Sequence, residues 1–595
     1  MDPDILSLLN QATGTIRLLR RGDVLFHQGN RGNSFYVVQS GRLRAIRDLD
    51  GANPTVIGEI GRGEMVGEMA VLGDAPRAAS VIAVRDSHVA EFSGDDLAKL
   101  PKESLLSVMR ILALRIRRMI DSRQNQSLPS CIAVIPIAPD LPMDDYCDRL
   151  TISLSDAGGH GALVRQADLP SEYATIDNCD GDAFRRLGDW LDDLERREKL
   201  IVLQADYEVT PWTERCLRQA DLILLVARAS DDPAKSPAER AIDRLPGKQA
   251  RPRVDLVLLQ NEPPYHGTAR WLENRDVVRH HHVRLHSPAD KARAGRMLTG
   301  RDVSLALGGG GARGFAHIGV IRACHELDIP IDRVCGTSMG SIIAGLYAMG
   351  MGWSEMTEHL RSHFLPKRRL TQFSFPILSI DTARNYEKAL QRLYSDTRIE
   401  DLPTNYFCVS CNLTTASVVI HRDGSIAKWI GASISVPGIA PPYVEQGELL
   451  VDGGLLNNLP VDIAKADGAG MAIAVDVSPQ TEFRLPTSYS GRPQALSVLW
   501  SRLTRKSRER PGVHQKPVFP TLGALLVRAT TLTSVNQKEL FAKMADRYLK
   551  PPVDGFKLLD FDKLDAISEI GYTHGMTELA DVTDWLQKKP ITPKS

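Results

Sequence analysis

Two glycine-rich turns, each running out of a short apolar stretch and into a helix-like one, constrain this chain more than any other feature. Val303-Ser304-Leu305-Ala306-Leu307 enters Gly308-Gly309-Gly310-Gly311-Ala312-Arg313-Gly314, and a helical stretch follows from about Phe315 to Leu327. Asp332-Arg333-Val334-Cys335 then enters Gly336-Thr337-Ser338-Met339-Gly340, ahead of a helical run from Ile342 to Met349. Strand, turn and helix in that order make an α/β unit. In the second turn, Gly-x-Ser-x-Gly holds a serine out of a sharp strand-to-helix bend, and the glycines keep Cβ atoms out of the crowded backbone. Ser338 is the candidate nucleophile.

The first turn leaves amides unpaired at a helix start, where the macrodipole is positive, so it favours an anion. Gly309, Gly311 and Gly314 also satisfy Gly-x-Gly-x-x-Gly, the dinucleotide fingerprint. That reading needs an acidic residue near the end of the next strand, but this strand ends in Gly336-Thr337-Ser338. The anion expected here is therefore the oxyanion formed when Ser338 attacks a carbonyl, with Gly309, Gly310, Gly311 and Arg313 as its hole. A base is available in Leu449-Leu450-Val451-Asp452-Gly453-Gly454, where Asp452 ends a strand beside two glycines. His317 and His421 are the alternatives for a Ser-His-Asp triad. His317 reads as a packing or polar-network residue, and His421 as an exposed one.

The 595 residues point to several domains. Residues 1–125 hold short apolar runs broken by glycines at 22, 29, 32, 41, 51, 61, 63, 67 and 73, the pattern of a small β-barrel or jelly roll. A helix from Glu103 to Arg118 closes that unit. Residues 131–300 read as α/β, with strands at Cys131–Ile137, Leu200–Leu203, Leu222–Val226 and Val254–Leu259, a helix from Asp182 to Arg197, and a parallel sheet implied by their order. No Gly-x-x-x-x-Gly-Lys-[Ser/Thr] is present, so ATP hydrolysis is not expected there. His280-His281-His282 reads as a polar loop. The hydrolase unit is expected at 301–480 and a C-terminal extension at 481–595. Within the extension, Leu496 to Arg510 is basic and amphipathic and suits an anionic membrane surface, and Lys367-Arg368-Arg369 is a second basic cluster.

Charge is balanced, 73 basic against 73 acidic residues, so no nucleic-acid partner is indicated. Eight scattered cysteines fit a reducing compartment. Cys408 and Cys411 sit three apart on a strand, on opposite faces, so no metal site is expected. The start, Met1-Asp2-Pro3-Asp4, lacks a basic signal region, and no stretch approaches the ~18 apolar residues of a spanning helix. The expected location is cytoplasmic, with peripheral contact at the inner face of the membrane. A homo-oligomer is left open.

Three stretches carry family resemblances. Gly67-Glu68-Met69-Ala70-Val71-Leu72-Gly73-Asp74-Ala75-Pro76-Arg77-Ala78-Ala79-Ser80 resembles the phosphate-binding cassette of cyclic-nucleotide-binding domains. The resemblance implies a site at Gly67, Glu68, Arg77 and Ala78, with Glu68 on the ribose 2′-hydroxyl and Arg77 on the cyclic phosphate. A guanidinium fork suits phosphate oxygens, and the small Ala78 leans towards cyclic AMP over cyclic GMP. The run from Gln204 to Asp221 is similar to the middle region of neuropathy-target-esterase-type proteins, with no chemistry evident from its residues. Gly-Gly-Gly-Ala-Arg-Gly, Gly-Thr-Ser-Met-Gly and Asp-Gly-Gly, in that order, resemble the patatin-like phospholipase family. That family implies a Ser338–Asp452 dyad, an acyl-enzyme, and hydrolysis of lysophospholipid or phospholipid esters without a catalytic cofactor. Together they imply a multidomain protein: an N-terminal β-barrel cyclic-nucleotide-binding domain, a central α/β domain and a C-terminal patatin-like α/β domain. The alternative function is a cyclic-nucleotide-sensing scaffold whose hydrolase domain is inactive or secondary.

Overall fold

The computed structural model describes residues 15–98, 128–158, 160–173, 182–365, 382–479 and 537–583. The closing helix at 103–118 and the basic segments at 367–369 and 496–510 fall outside them. The chain divides into two compact units, essentially residues 1–300 and 301–589.

The first unit begins with a barrel of two four-stranded antiparallel sheets. One runs in the order Thr15–Leu19, Ser87–Ser93, Ser34–Ser40, Met65–Val66, and the other Val24–Phe26, Ser80–Ala83, Leu43–Arg47, Thr55–Ile60. Alternate residues such as Leu25, Tyr36, Val38, Leu43, Val81 and Val89 fill the space between the sheets, as the two-residue period of a strand requires. The glycines fall at the turns.

A six-stranded parallel sheet follows, in the order Gly161–Val164, Leu200–Gln204, Cys131–Pro136, Leu222–Arg228, Arg253–Gln260, Arg279–Arg284. Its inner strands are covered on both faces, which is why Cys131–Pro136, Leu200–Gln204 and Leu222–Arg228 read as largely apolar runs. Cys131, Ala133 and Ile135 join the core beneath Leu187, Leu191, Trp212 and Trp271. Ile132 and Val134 join the opposite core with Tyr146, Leu150 and Leu154. The order reverses beside Cys131–Pro136, where doubly wound sheets bind phosphates. Here the turn after that strand is Ile137-Ala138-Pro139-Asp140-Leu141-Pro142, without glycine. The Asp140 carboxylate accepts from Arg228 Nη1 at 2.8 Å, and the next helix opens with Asp144 and Asp145, acids that repel a phosphate.

His280-His281-His282 is not a loop but part of the edge strand Arg279–Arg284. An edge strand needs only one neighbour, so polar residues are tolerated along it. His281 Nε2 lies 3.5 Å from buried Asp255, and His282 Nδ1 lies 2.9 Å from Gln260.

Barrel and parallel sheet meet in a buried ionic network, and it gives the Gln204–Asp221 stretch its chemistry. The Asp221 carboxylate accepts from Arg85 Nε and Nη2 at 3.0 and 2.5 Å, from Arg42 Nη1 at 3.2 Å, and from the Ser130 amide at 3.0 Å. Glu195 takes Arg85 Nη1 at 2.6 Å. Arg21 reaches across to the carbonyls of Leu217 and Ala220 at 3.2 and 2.8 Å, at the end of the helix Pro211–Gln219. The two arginines hold the Asp221 carboxyl well below the ordinary range despite its burial.

The second unit is built on an eight-stranded mixed sheet: Tyr443–Glu445, Glu448–Asp452, Asn405–Asn412, Arg333–Gly336, Val303–Leu307, Met471–Val475, Arg547–Leu549, with Ser417–His421 also on Asn405–Asn412. The strand Arg547–Leu549 pairs in parallel with Met471–Val475. The expected division at residue 480 therefore differs from the sheet, whose last strand comes from beyond it. The following helix, Leu564–Glu578, lies against the helix Ala316–Glu326 so closely that a Cβ on Gly571 would stand 2.0 Å from Ala316 O.

Candidate active site

The strand Asn405–Asn412 brings the two halves of the site together. Residues 405–408 pair in parallel with Arg333–Gly336, and 410–412 pair antiparallel with Leu450–Asp452. Ser417–His421 occupies the opposite edge over 408–412, so the two former partners share one edge. They run in opposite directions and end towards each other. Ser338 stands two residues beyond the end of one, and Asp452 is the last residue of the other.

The bend at Ser338 is tight and demands its glycines. A Cβ on Gly336 would lie 2.4 Å from the carbonyl of Gly340, and one on Gly340 would lie 2.1 Å from Leu307 O. Ser338 itself takes φ 52°, ψ −124°, a conformation L-residues seldom adopt and one that costs about 1–3 kcal/mol. The helix Met339–Ala348 leaves from it and packs Ile342, Ile343 and Leu346 into the core.

The Ser338 hydroxyl stands close enough to the Asp452 carboxyl to pull its pKa down. Asp452 is 5% exposed, and its Oδ1 accepts the Gly454 amide at 2.7 Å. Burial pushes the carboxyl up to about 6, against the opposing pull of the Gly454 amide and the Ser338 hydroxyl. A carboxylate shifted in this direction is a better proton acceptor near neutrality than an ordinary one.

The glycine turn lies against Ser338: a Cβ on Gly309 would come 3.0 Å from Ser338 Cβ and 2.6 Å from Asn458 Oδ1. The peptide groups of this turn are each pinned. The Gly308 carbonyl accepts from His317 Nε2 at 2.8 Å, and the Gly309 amide donates to Asn458 O at 3.2 Å. Asn458 Nδ2 donates to Gly309 O at 3.1 Å, and Arg313 Nε donates to Gly310 O at 3.2 Å. In a trans peptide the carbonyl and the following N–H point in opposite directions. Asn458 thereby sets the direction of the Gly310 N–H, and Arg313 that of the Gly311 N–H. Among the described residues neither of these amides has a hydrogen-bond acceptor, whereas the Ala312 amide is taken by Leu558 O at 2.8 Å. Of the four expected oxyanion residues, Gly310 and Gly311 thus offer free donors, while Gly309 and Arg313 serve the turn's geometry.

Neither histidine hydrogen-bonds Ser338. His317 is fully buried, lowered by burial to about 4, and spends its Nε2 proton on Gly308. His421, expected at the surface, is 5% exposed; its Nε2 lies 2.7 Å from Ser410 Oγ and its ring stacks on Trp429 at 4.2 Å. Cys408 and Cys411 are both buried on the central strand, with the Cys411 thiol directed at Gly453 O. Asn458, which holds the glycine turn, was not singled out from the sequence, although Asn457-Asn458-Leu459-Pro460 follows Asp452 closely. Thr337 Oγ1 bonds Asn457 O at 3.0 Å and ties that segment to the nucleophile bend.

In the barrel, Gly67, Glu68 and Arg77 come together. Gly67, at φ 88°, introduces the short helix that Glu68 begins. Arg77 is 5% exposed, its guanidinium held at 2.7 Å by both Gly67 O and Ser34 O and lying 4.3 Å from the Phe26 ring centre. Glu68 is 1% exposed and Ala78 is exposed beside Arg77. A carboxylate and a fixed guanidinium on one cradle suit a ribose hydroxyl next to a phosphate.

Comparison with known proteins divides the chain in the same way. Residues 16–104 match the model of the cyclic nucleotide-binding domain, residues 129–304 that of the neuropathy target esterase family P-loop like domain, and residues 305–465 that of patatin-like phospholipase. The chain is 31% identical over 610 residues to mouse patatin-like phospholipase domain-containing protein 6, covering 93% of this chain and 44% of that protein. It is 30% identical over 638 residues to lysophospholipase nte1 of Neosartorya fischeri, covering 93% and 41% respectively. The chain thus spans less than half the length of these relatives. Among solved structures, a cyclic nucleotide-binding domain from Methylobacillus flagellatus aligns with 20% of this chain and 80% of its own, at 23% identity and a TM-score of 0.19.

Proposed function

This chain is a relative of the patatin-like phospholipases of neuropathy-target-esterase type, and from that premise we propose that it is a serine esterase acting on lysophospholipid or phospholipid esters through a Ser338–Asp452 dyad. The observation that carries the proposal is the meeting of two strand ends that sets Ser338 facing the buried Asp452, a carboxyl pushed up to about 6 by burial, beside two unengaged amides. Asp452 takes the Ser338 proton as Oγ adds to the ester carbonyl. The oxygen that becomes negative is received by the Gly310 and Gly311 amides at the positive end of the turn and its helix. Collapse expels the alcohol, which regains the proton from Asp452, and leaves the acyl group on Ser338. Water, deprotonated by Asp452, then adds to the acyl carbonyl; the bond to Ser338 Oγ breaks, Oγ takes the proton back from Asp452, and the fatty acid leaves. No histidine is needed for any of these steps.

A carboxylate base captures less driving force than an imidazole, so the fixed amides carry much of the barrier reduction. Hydrolysis of lysophosphatidylcholine by wild type and Ser338→Ala is the direct test; equal turnover would leave the chain as a nucleotide-sensing scaffold with a secondary hydrolase domain. The substrate class places the active protein at a lipid surface, peripherally. Among the described residues no helix is long and apolar enough to cross a membrane.

The barrel supports a second, regulatory reading: Glu68 receives a ribose 2′-hydroxyl and Arg77 a cyclic phosphate, with cyclic AMP preferred over cyclic GMP at Ala78. Calorimetric titration of the whole chain with both nucleotides tests it.

A further inference from the structure

One short segment is bonded to both halves of the dyad. The Ser338 amide donates to Ser433 Oγ at 2.9 Å, and the Asp452 amide donates to Ser435 O at 2.9 Å. Ser433 closes the helix Ile426–Ser433 and is fully buried; Ser435 Oγ bonds back to Gly431 O at 2.9 Å, fastening the segment to that helix. The helix is in turn seated on the nucleophile helix. A Cβ on Gly345 would lie 3.0 and 3.2 Å from the δ carbons of Ile426 and Ile430, and 3.1 Å from Tyr394 Oη, whose hydroxyl donates to Ile342 O at 2.7 Å.

We infer that Ser433 is a positioning residue for the nucleophile, and that residues 433–435 set the spacing between Ser338 and Asp452. This inference rests on the dyad reading above. The backbone at Ser338 is held against its own preference, with φ at 52°, so its amide needs a fixed acceptor to stay where the hydroxyl meets Asp452. Among the described residues no backbone carbonyl serves that amide; a side-chain oxygen does, from a residue 95 positions away. The same segment then anchors the Asp452 amide two residues further on, through Ser435 O. A relaxation at Ser433 therefore alters the distance within the dyad rather than the shape of the substrate site.

The nearby Ser338 hydroxyl is one of the groups that lower the Asp452 carboxyl against burial. Loss of alignment at Ser338 weakens that pull and lets the carboxyl rise, so the acid limb of the rate profile moves to higher pH. A residue with a merely structural role would not move it.

The test uses the full chain with a p-nitrophenyl ester, rates being normalised to active sites titrated with a fluorophosphonate. Ser433→Ala removes one oxygen from a buried site and is expected to lower kcat by about 10- to 100-fold, the cost of a displacement of about 1 Å at the reacting centre. KM should stay close to the wild-type value and the acid limb should rise. Ser433→Thr keeps the hydroxyl and should restore most of kcat and return the limb. Wild-type kcat with an unmoved limb in Ser433→Ala overturns the inference, as does a loss expressed in KM alone. Ser338→Ala, run alongside, separates this failure from that of the dyad: activity in that variant refutes the esterase reading itself, whatever Ser433→Ala does.

Discussion

Replacing Asp452 by asparagine should stabilise the hydrolase unit at pH 8 while abolishing its turnover. The carboxyl is carried from 3.8 to about 6 by burial, and each pH unit of such a displacement is worth about 1.4 kcal/mol. The gap corresponds to about 3 kcal/mol. Its sign follows from proton binding. Near pH 3 and below, the folded protein holds this proton and the unfolded chain largely does too, so the site costs almost nothing. As pH rises, the unfolded chain releases its proton first, and the folded state is penalised progressively until its own carboxyl ionises near pH 6. Above that the penalty is full. Asparagine keeps an acceptor for the Gly454 amide, now at 2.7 Å, and never ionises. The melting temperature of Asp452→Asn should thus exceed the wild type by only about 2 °C at pH 4.5, where about 1 kcal/mol of the penalty is present, and by about 6 °C at pH 8, taking about 2 °C per kcal/mol for a large unit. Scanning calorimetry of both proteins across pH 4.5–8.5 reads the difference. A constant offset, or a wild type that gains on the variant as pH rises, would refute the account of Asp452 as a carboxylate strained by burial.

The same carboxyl governs the rate profile: kcat/KM should fall about tenfold per pH unit below an apparent pKa of about 6, and a profile flat down to pH 5 would remove Asp452 as the base. Asp221→Asn leaves Arg85, whose side chain is 2% exposed, with a diminished counter-charge; urea unfolding of the first unit should show a loss of about 3 kcal/mol, as for broken buried pairs elsewhere. Arg77→Ala should weaken cyclic AMP binding in calorimetry by at least about tenfold, the lower end of the value of charged hydrogen bonds to a phosphate, with the barrel's circular dichroism unchanged.

How far the sequence could be read depended on where each element finds its partners. The strands Cys131–Pro136 and Val303–Leu307 are legible because both of their faces are buried, so their apolar character is continuous. Gly336 and Gly340 are legible because the bend around Ser338 tolerates nothing larger. His280-His281-His282 misleads for the opposite reason: an edge strand is secured by backbone pairing on one side, and its side chains need not be apolar. Arg547-Tyr548-Leu549 is too short to announce a strand, and only the exposed edge of Met471–Val475 makes it one. Asn458, Ser433 and Asp221 act through hydrogen bonds to segments 149, 95 and 136 residues away. Such partners leave no local period, which is why the Gln204–Asp221 stretch carried a resemblance but no chemistry until Arg42 and Arg85 were seen against it.

The shared edge of Asn405–Asn412 acts as a ruler. Ser338 and Asp452 belong to segments that never pair with each other, and the count of residues between Cys408 and Ser410 on a third strand fixes the gap they face across. One residue inserted there would slide the Asp452 strand by about 3.3 Å and turn its side chains to the other face of the sheet. A descendant of this chain can therefore fall silent through a change of length in a strand that bears no reacting group, with its serine, its aspartate and its glycines all intact. Among similar sequences, the spacing along that strand is as informative about activity as the presence of the dyad.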